Sequence, residues 1–257
     1  MAKLSPTISV IIPAYNEEGF LPRCLDSLMK QDLDRKLFEI IVVDNASTDK
    51  TPDVAKKYPV KLIHEAKLGV TIARQRGVDS SQGKIIVSAD ADSIYPPRWL
   101  SRINEDFKKH PDAIAVVGWI YFDNTPVVFN VLFALSQELN ATIKRFFGKF
   151  PLVFATNFAF KRSAFKKIGE YPLYLPELGD QQYLLRRFQN IGKVLIDKKM
   201  FCTTSGRRHS SAVRDIIIYN GWHRIFGYFV NSTFKKEVIG PAPAIRSNPP
   251  QRFHLRQ

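Results

Sequence analysis

Short, continuous apolar runs alternate with amphipathic stretches through the first half of the chain. ISVIIP (8–13), FEIIVVD (38–44), VKLIH (60–64) and KIIVSAD (84–90) read as strands. An unbroken apolar run marks a strand buried on both faces. Between the first two, Leu21, Cys24, Leu25, Leu28 and Met29 share one face of a helix. NASTD (45–49) supplies hydroxyl and carboxylate caps for a short helix ending near Tyr58. Residues 70–80 read as a helix, and so do 97–108, where Pro96-Pro97 open it and Trp99, Leu100, Ile103 and Phe107 share a face. AIAVVGWIYF (113–122) is the next strand.

Strands and helices alternating at this pace predict an α/β fold, a mostly parallel central sheet flanked by helices on both faces. In such sheets ligands bind beyond the carboxyl ends of the strands. Those ends are Pro13-Ala14-Tyr15-Asn16-Glu17, Asp44-Asn45 and Asp90-Ala91-Asp92. Beyond Asn124 the alternation weakens. Residues 125–147 read as a longer helix with a basic end, LVFATNFAF (152–160) as a strand, 180–190 as a helix and KVLID (193–197) as a strand. No linker divides the chain. The expected organisation is one domain: a nucleotide-binding half over about 1–124, an acceptor half over about 125–210, and a helical, Pro-rich tail over about 211–257.

Composition narrows the partners. At 257 residues and 45% hydrophobic content the chain can bury a sizeable core. A net charge of +14 points to an anionic partner: nucleic acid, an anionic membrane surface or a phosphorylated small molecule. Two cysteines, Cys24 and Cys202, make no disulfide framework and fit a reducing compartment. MAKLSPT runs straight into a strand without a signal-peptide core, and no stretch reaches ~18 consecutive apolar residues. The expectation is a cytoplasmic protein, at most resting on the inner face of a membrane.

The sharpest local feature is Asp90-Ala91-Asp92. In an extended segment residues i and i+2 point to one side, so both carboxylates can face one cation. Mg²⁺ or Mn²⁺ prefers such oxygens and leaves positions for diphosphate. Alternatively, the two aspartates cap the helix near Pro97.

ISVIIPAYNEE (8–18), EIIVVDNASTDKT (39–51) and LGVTIARQRGVDSSQGKIIVSADAD (68–92), in this order and spacing, resemble the nucleotide-binding half of glycosyltransferase family 2, of GT-A fold. A weaker likeness continues through TNFAFKRSAFKKIG (156–169) and GDQQYLLRRFQNIGKV (179–194). The resemblance implies that Pro13, Ala14 and Tyr15 line the base of a nucleoside diphospho-sugar, with Glu17 on its ribose. Asp44 would bond the base edge, and Arg74 would lie close to the nucleotide. Asp90, with Ala91 beside it, would contact the ribose or a metal-bound water, and Asp92 would ligate the metal. Asp180 matches the general base of inverting members, with Arg186 at the expected spacing. The chain has Gly179 where the family carries Glu, and Glu177 is the nearby substitute or acceptor contact. Asn157 is a further diphosphate or acceptor candidate. A leaving diphosphate needs cations, and Lys67, Arg207 and Arg208 are candidates; His209 could complete the metal shell. UDP and GDP donors both suit Asp44. The acceptor, a saccharide or a lipid-linked hydroxyl, is open, as is the oligomeric state.

Other readings compete. A nucleic-acid binder would cluster Lys/Arg with aromatics on one face, whereas here the basic residues are spread along the chain. A phosphatase of the Asp-x-Asp type would place that motif after its first strand. A retaining transferase of the same fold differs only in stereochemistry, and Asp180 favours inversion. Residues 213–230, rich in Ile, Phe and Trp, fit either an interfacial helix on an anionic bilayer or a core or oligomer contact, and 127–134 carry the same ambiguity.

Overall fold

The computed structural model describes residues 5–148, 157–171 and 179–209. Its strands are β1 (Ile8–Ala14), β2 (Phe38–Asp44), β3 (Lys61–His64), β4 (Ile85–Ser88), β5 (Ser93–Ile94), β6 (Ala113–Asp123), β7 (Phe158–Lys161) and β8 (Lys193–Ser205). They form one sheet in the order β3-β2-β1-β4-β7-β6-β8-β5. β1 pairs in parallel with both β2 and β4, β2 with β3, and β6 with β8; β5 and β7 run antiparallel to their neighbours. The chain winds outward from β1 through β2 to β3, then returns to β1's other side as β4. That reversal opens a crevice beyond the carboxyl ends of β1 and β4.

Strand alternation builds two cores. Ile8, Val10 and Ile12 of β1 face one side with Leu21, Leu25 and Leu28 of α1 (Leu21–Met29) and Trp99, Leu100 and Ile103 of α4 (Trp99–Lys109). Ile11, Ile41 and Val43 face the other side, against α3 (Val70–Asp79), α6 (Arg162–Ile168) and α7 (Gly179–Ile191). Each fully buried Leu or Ile contributes about 1.5–3 kcal/mol, so sheet and helices specify one another. α5 (Val127–Phe147) leaves the end of β6 and closes on Gly148 in the left-handed region. No helix among the described residues is long and apolar enough to cross a membrane.

The main elements lie where the periodicity puts them, with instructive departures. α2 (Thr51–Ala55) is shorter than expected. β8 is far longer than KVLID, because it continues past a bulge between Gly118 and Trp119 and pairs with the second half of β6. There Gly118 is required: a Cβ on it would lie 1.9 Å from the Met200 carbonyl oxygen. β5 and α6 have no counterpart in the sequence reading. Residues 152–156 of the expected strand and the tail beyond 209 lie outside the described residues.

Candidate active site

Two loops at the carboxyl ends of β1 and β2 are knitted together. The Asn16 amide donates to Ser47 Oγ at 3.0 Å, and the Thr48 amide donates to Asn16 Oδ1 at 2.8 Å. The Glu17 amide donates to Thr51 Oγ1 at 2.7 Å, and the Glu18 amide to Asp49 Oδ2 at 3.1 Å. The NASTDKT run therefore does more than open α2: Asp49 caps the Thr51 amide at 2.9 Å, while Ser47, Thr48 and Thr51 hold the Tyr15–Glu18 loop. Asn16 and Ala46 sit at positive φ. Tyr15 and Pro13 are half-buried at this rim, whereas Ala14 and Ala91 are buried in the core. Any donor contact from those two alanines is thus through backbone.

The end of β2 orders the next wall. Asp44 is buried; its Oδ1 accepts from the Ser47 amide at 3.2 Å and its Oδ2 lies 2.9 Å from His64 Nδ1. His64 is a largely exposed partner of Asp44 at the end of β3. Asn45 reaches farther. Its Nδ2 donates to the Glu65 and Lys67 carbonyls at 3.2 and 2.7 Å, and its Oδ1 accepts from the Gly69 amide at 2.8 Å. This fixes the loop that presents the exposed Lys67 and starts α3. Gly69 at φ +145° occupies a backbone region that side chains avoid.

Asp90 and Asp92 lie in the turn after β4 rather than in an extended segment, and each meets its own cation. Asp90 Oδ1 accepts from Arg74 at 2.8 Å, a nearly buried pair. Asp92 Oδ1 accepts from Thr204 Oγ1 at 3.2 Å, and its Oδ2 lies 3.2 Å from Arg207. Arg207 also grips Glu17 through both nitrogens, at 3.1 and 2.5 Å, with its guanidinium 4.4 Å from the Phe20 ring centroid. The Ser205 amide donates to the Asp92 carbonyl at 3.1 Å. The end of β8 is therefore part of the Asp92 wall, and Arg207 links the β1 and β4 loops.

A buried relay pins the Asp90 backbone. The Asp90 amide donates to Tyr95 Oη at 2.8 Å, and Cys24 Sγ donates to the Asp90 carbonyl at 3.5 Å. Burial pushes the Tyr95 phenol and the Cys24 thiol well up, so both stay neutral. The Tyr95 ring packs on Trp99, centroids 4.0 Å apart, and Trp99 Nε1 donates to Asn157 Oδ1 at 2.9 Å. Asn157 Nδ2 donates to the carbonyls of Trp119 and Met200. This corrects the reading of Asn157 as a diphosphate or acceptor contact. Its side chain is fully buried and spent on locking α4 to β6 and β8. Trp99 was legible only as part of an apolar helix face, and Tyr95 drew no reading. The signal for their role was an aromatic pair just past Asp92.

Asp180 lies in the first turn of α7. Its neighbour Gln181 is buried, and Gln181 Nε2 donates to Ser88 Oγ at 2.9 Å, which sets that turn against the end of β4. Arg208 and His209 follow Arg207 in a 3₁₀ turn (Gly206–His209). Glu177 and the side chains of Asp180, Arg208 and His209 lie outside the described residues.

The donor set can be tested against a divalent cation. Among the described residues, no group of three or more His, Cys, Asp or Glu could hold one alone. Mg²⁺ and Mn²⁺ shared with phosphates need only one or two protein carboxylates, and Asp92 with Asp90 fits that share. A cation on Asp92 Oδ2 competes with Arg207 for that oxygen.

The family model for "Glycosyl transferase family 2" matches residues 9–169. The chain is 30% identical over 198 residues to a PGL/p-HBAD biosynthesis glycosyltransferase of Mycobacterium bovis, covering 72% of this chain and 71% of that protein. It is 33% identical over 108 residues to the glycosyltransferase AglE of Haloferax volcanii, 40% of this chain but only 36% of AglE. It likewise spans about a third, 34%, of the Bacillus subtilis protein EpsJ. Among solved structures, S. aureus TarS 1-349 superposes with a TM-score of 0.64 at 21% identity, over 89% of this chain and 72% of TarS 1-349. The mannosyltransferase PcManGT from Pyrobaculum calidifontis, solved in complex with GDP-Man and Mn²⁺, gives 0.63 at 22% identity, over 93% and 66%. TarS 1-349 has also been solved in complex with UDP-GlcNAc. The fold is the GT-A arrangement that the three linked motifs imply.

Proposed function

The chain belongs to glycosyl transferase family 2, and on that premise we propose that it moves a sugar from a UDP- or GDP-sugar to an acceptor hydroxyl, with Mn²⁺ or Mg²⁺ at Asp92 and Asp90. One observation carries this reading. The loops after β1, β2 and β4 meet at the strand-order reversal, with Glu17, Asp92 and Asp90 joined there to Arg207 and Arg74. Tyr15 and Asp44 border the base, and Glu17 the ribose. Arg207 and Lys67 lie on the diphosphate side, where their charge offsets that of the leaving group. The bound cation supplies Lewis-acid stabilisation of the same charge.

Asp180 is the general base. It takes the proton of the acceptor hydroxyl as that oxygen bonds to the anomeric carbon. The bond to the diphosphate breaks on the opposite face, so configuration inverts. The bond from Gln181 to Ser88 supports this role, since it sets the first turn of α7 beside the strand that leads to Asp90.

A thermal-shift screen of nucleoside diphosphates and their sugars with Mn²⁺ or Mg²⁺ tests the reading. A cognate donor at a hundredfold excess over its Kd stabilises the fold by about 2.7 kcal/mol. Finding no metal-dependent shift with any nucleotide would sink it.

A further inference from the structure

α5 is amphipathic in an unusual sense. Its inner face is bolted down by polar bonds: Gln137 brackets Ile120 through the amide at 3.1 Å and the carbonyl at 3.0 Å. Asn130 does the same to Phe122, at 2.9 Å each, and the rings of Phe129 and Phe133 pack edge-on against Phe122. Its outer face carries Val128, Val131, Leu132, Leu135, Leu139 and Phe146, which are between 51% and 76% exposed. These positions repeat every three or four residues and make one apolar stripe along the helix. Exposed apolar surface concentrated in this way marks an interaction site. The inner bonds hold the helix to β6, so it can lie along a surface but cannot leave to span one.

Charge selects the occupant. The stripe contains no carboxylate. The one acid of α5, Glu138, is held by Lys198 at 2.5 and 2.7 Å. The last turn of the helix carries Lys144 and Arg145, of which Arg145 is exposed, and Lys199 is exposed on the adjacent β8. With a net charge of +14, two copies repel one another, whereas an anionic bilayer attracts. We propose that the α5 stripe seats this protein on an anionic lipid surface, with the helix lying in the interface plane. The stripe starts just past Asp123, which accepts from the Gly206 amide beside Arg207. Docking therefore brings the candidate site to the lipid headgroups. The inference rests on the α5 surface and is independent of the donor reading.

The test is flotation of the full chain with vesicles of phosphatidylglycerol and phosphatidylcholine, against phosphatidylcholine alone. The variant is Leu132→Gln/Leu135→Gln/Leu139→Gln, at exposed positions with a residue that suits helices. Wild type floats with the anionic vesicles, less so at high salt, and the variant binds roughly tenfold or more weakly with its thermal midpoint unchanged. Equal flotation of variant and wild type, or none by wild type, overturns the proposal. A wild-type dimer that the substitutions dissolve assigns the stripe to a second copy instead. A large fall in the variant's midpoint assigns it to cover by residues 211–230 of the chain itself.

Discussion

Replacing Arg207 with Gln removes the cation that Glu17 and Asp92 share. The three side chains are 20%, 13% and 14% exposed, between the surface and buried regimes. A surface pair contributes about 0–1 kcal/mol, and stripping one partner from a buried pair costs about 3–5 kcal/mol. Arg207 also loses its seat on Phe20, about 0.5–1 kcal/mol. The expected loss is therefore about 2–3 kcal/mol, or ~4–12 °C in thermal midpoint for a chain of this size. The informative measurement adds Mn²⁺ without nucleotide. In wild type the cation must displace Arg207 from Asp92, so the midpoint moves little. In Arg207→Gln the cation replaces the missing charge, so the midpoint recovers in a Mn²⁺-dependent way and calorimetry shows tighter Mn²⁺ binding than wild type. Arg207→Lys keeps the charge without the two-nitrogen grip and falls between. A variant as stable as wild type would refute the coupling of these groups. A destabilised variant with wild-type Mn²⁺ affinity would refute Asp92 as the cation's ligand.

Asp180→Asn should lower kcat by roughly 10²–10⁴ while donor-induced thermal shifts persist; undiminished turnover would place the base elsewhere. Tyr95→Phe removes the acceptor for the Asp90 amide, and the expected loss is about 1–3 kcal/mol by urea titration, with weaker donor binding; a neutral outcome would mean that Asp90 is held by its other contacts. Asp106 buries Oδ2 without a hydrogen-bond partner, and burial, with the Asp197 charge next, pushes its carboxyl up to about 6 despite Arg102 and Lys109. A raised carboxyl stabilises the fold at low pH and loses that contribution as pH rises through about 6. Discounted for its partial exposure, Asp106→Asn should raise the midpoint by about 2–4 °C at pH 7 and by little at pH 4; the reverse ordering would be incompatible with the burial argument.

The parts of the fold that were legible are those whose cause is local. Residues 38–44 read as a strand because their central run, 40–43, is buried on both faces and has no polar position, and β2 spans those residues. The carboxyl-end residues Glu17, Asp44, Asp90 and Asp92 followed from strand ends alone. β8 was cut short because its second half meets β6 on one face only. Met200, Cys202 and Thr204, every second residue, are buried, as is the final Ser205, and the intervening Lys199, Phe201 and Thr203 hide the strand. Asn157 was misjudged because an amide suits a ligand or a core lock equally, and only its three partners decide. The pairing of Arg207 with Glu17 was invisible for a different reason: no local pattern reports which distant carboxylate an arginine will find.

That distance has a consequence for how the molecule comes into being. The bond from Arg207 to Glu17 joins residues 190 apart, and the one from Thr204 to Asp92 joins residues 112 apart. Every nucleotide-side motif has left the ribosome before β8 exists, so Glu17 and Asp92 are made well before the Arg207 that joins them. Closing loops of that length is slow, and assembly of the site becomes one of the last events of folding. A chain arrested before Ser205 would hold all three family motifs without a finished site.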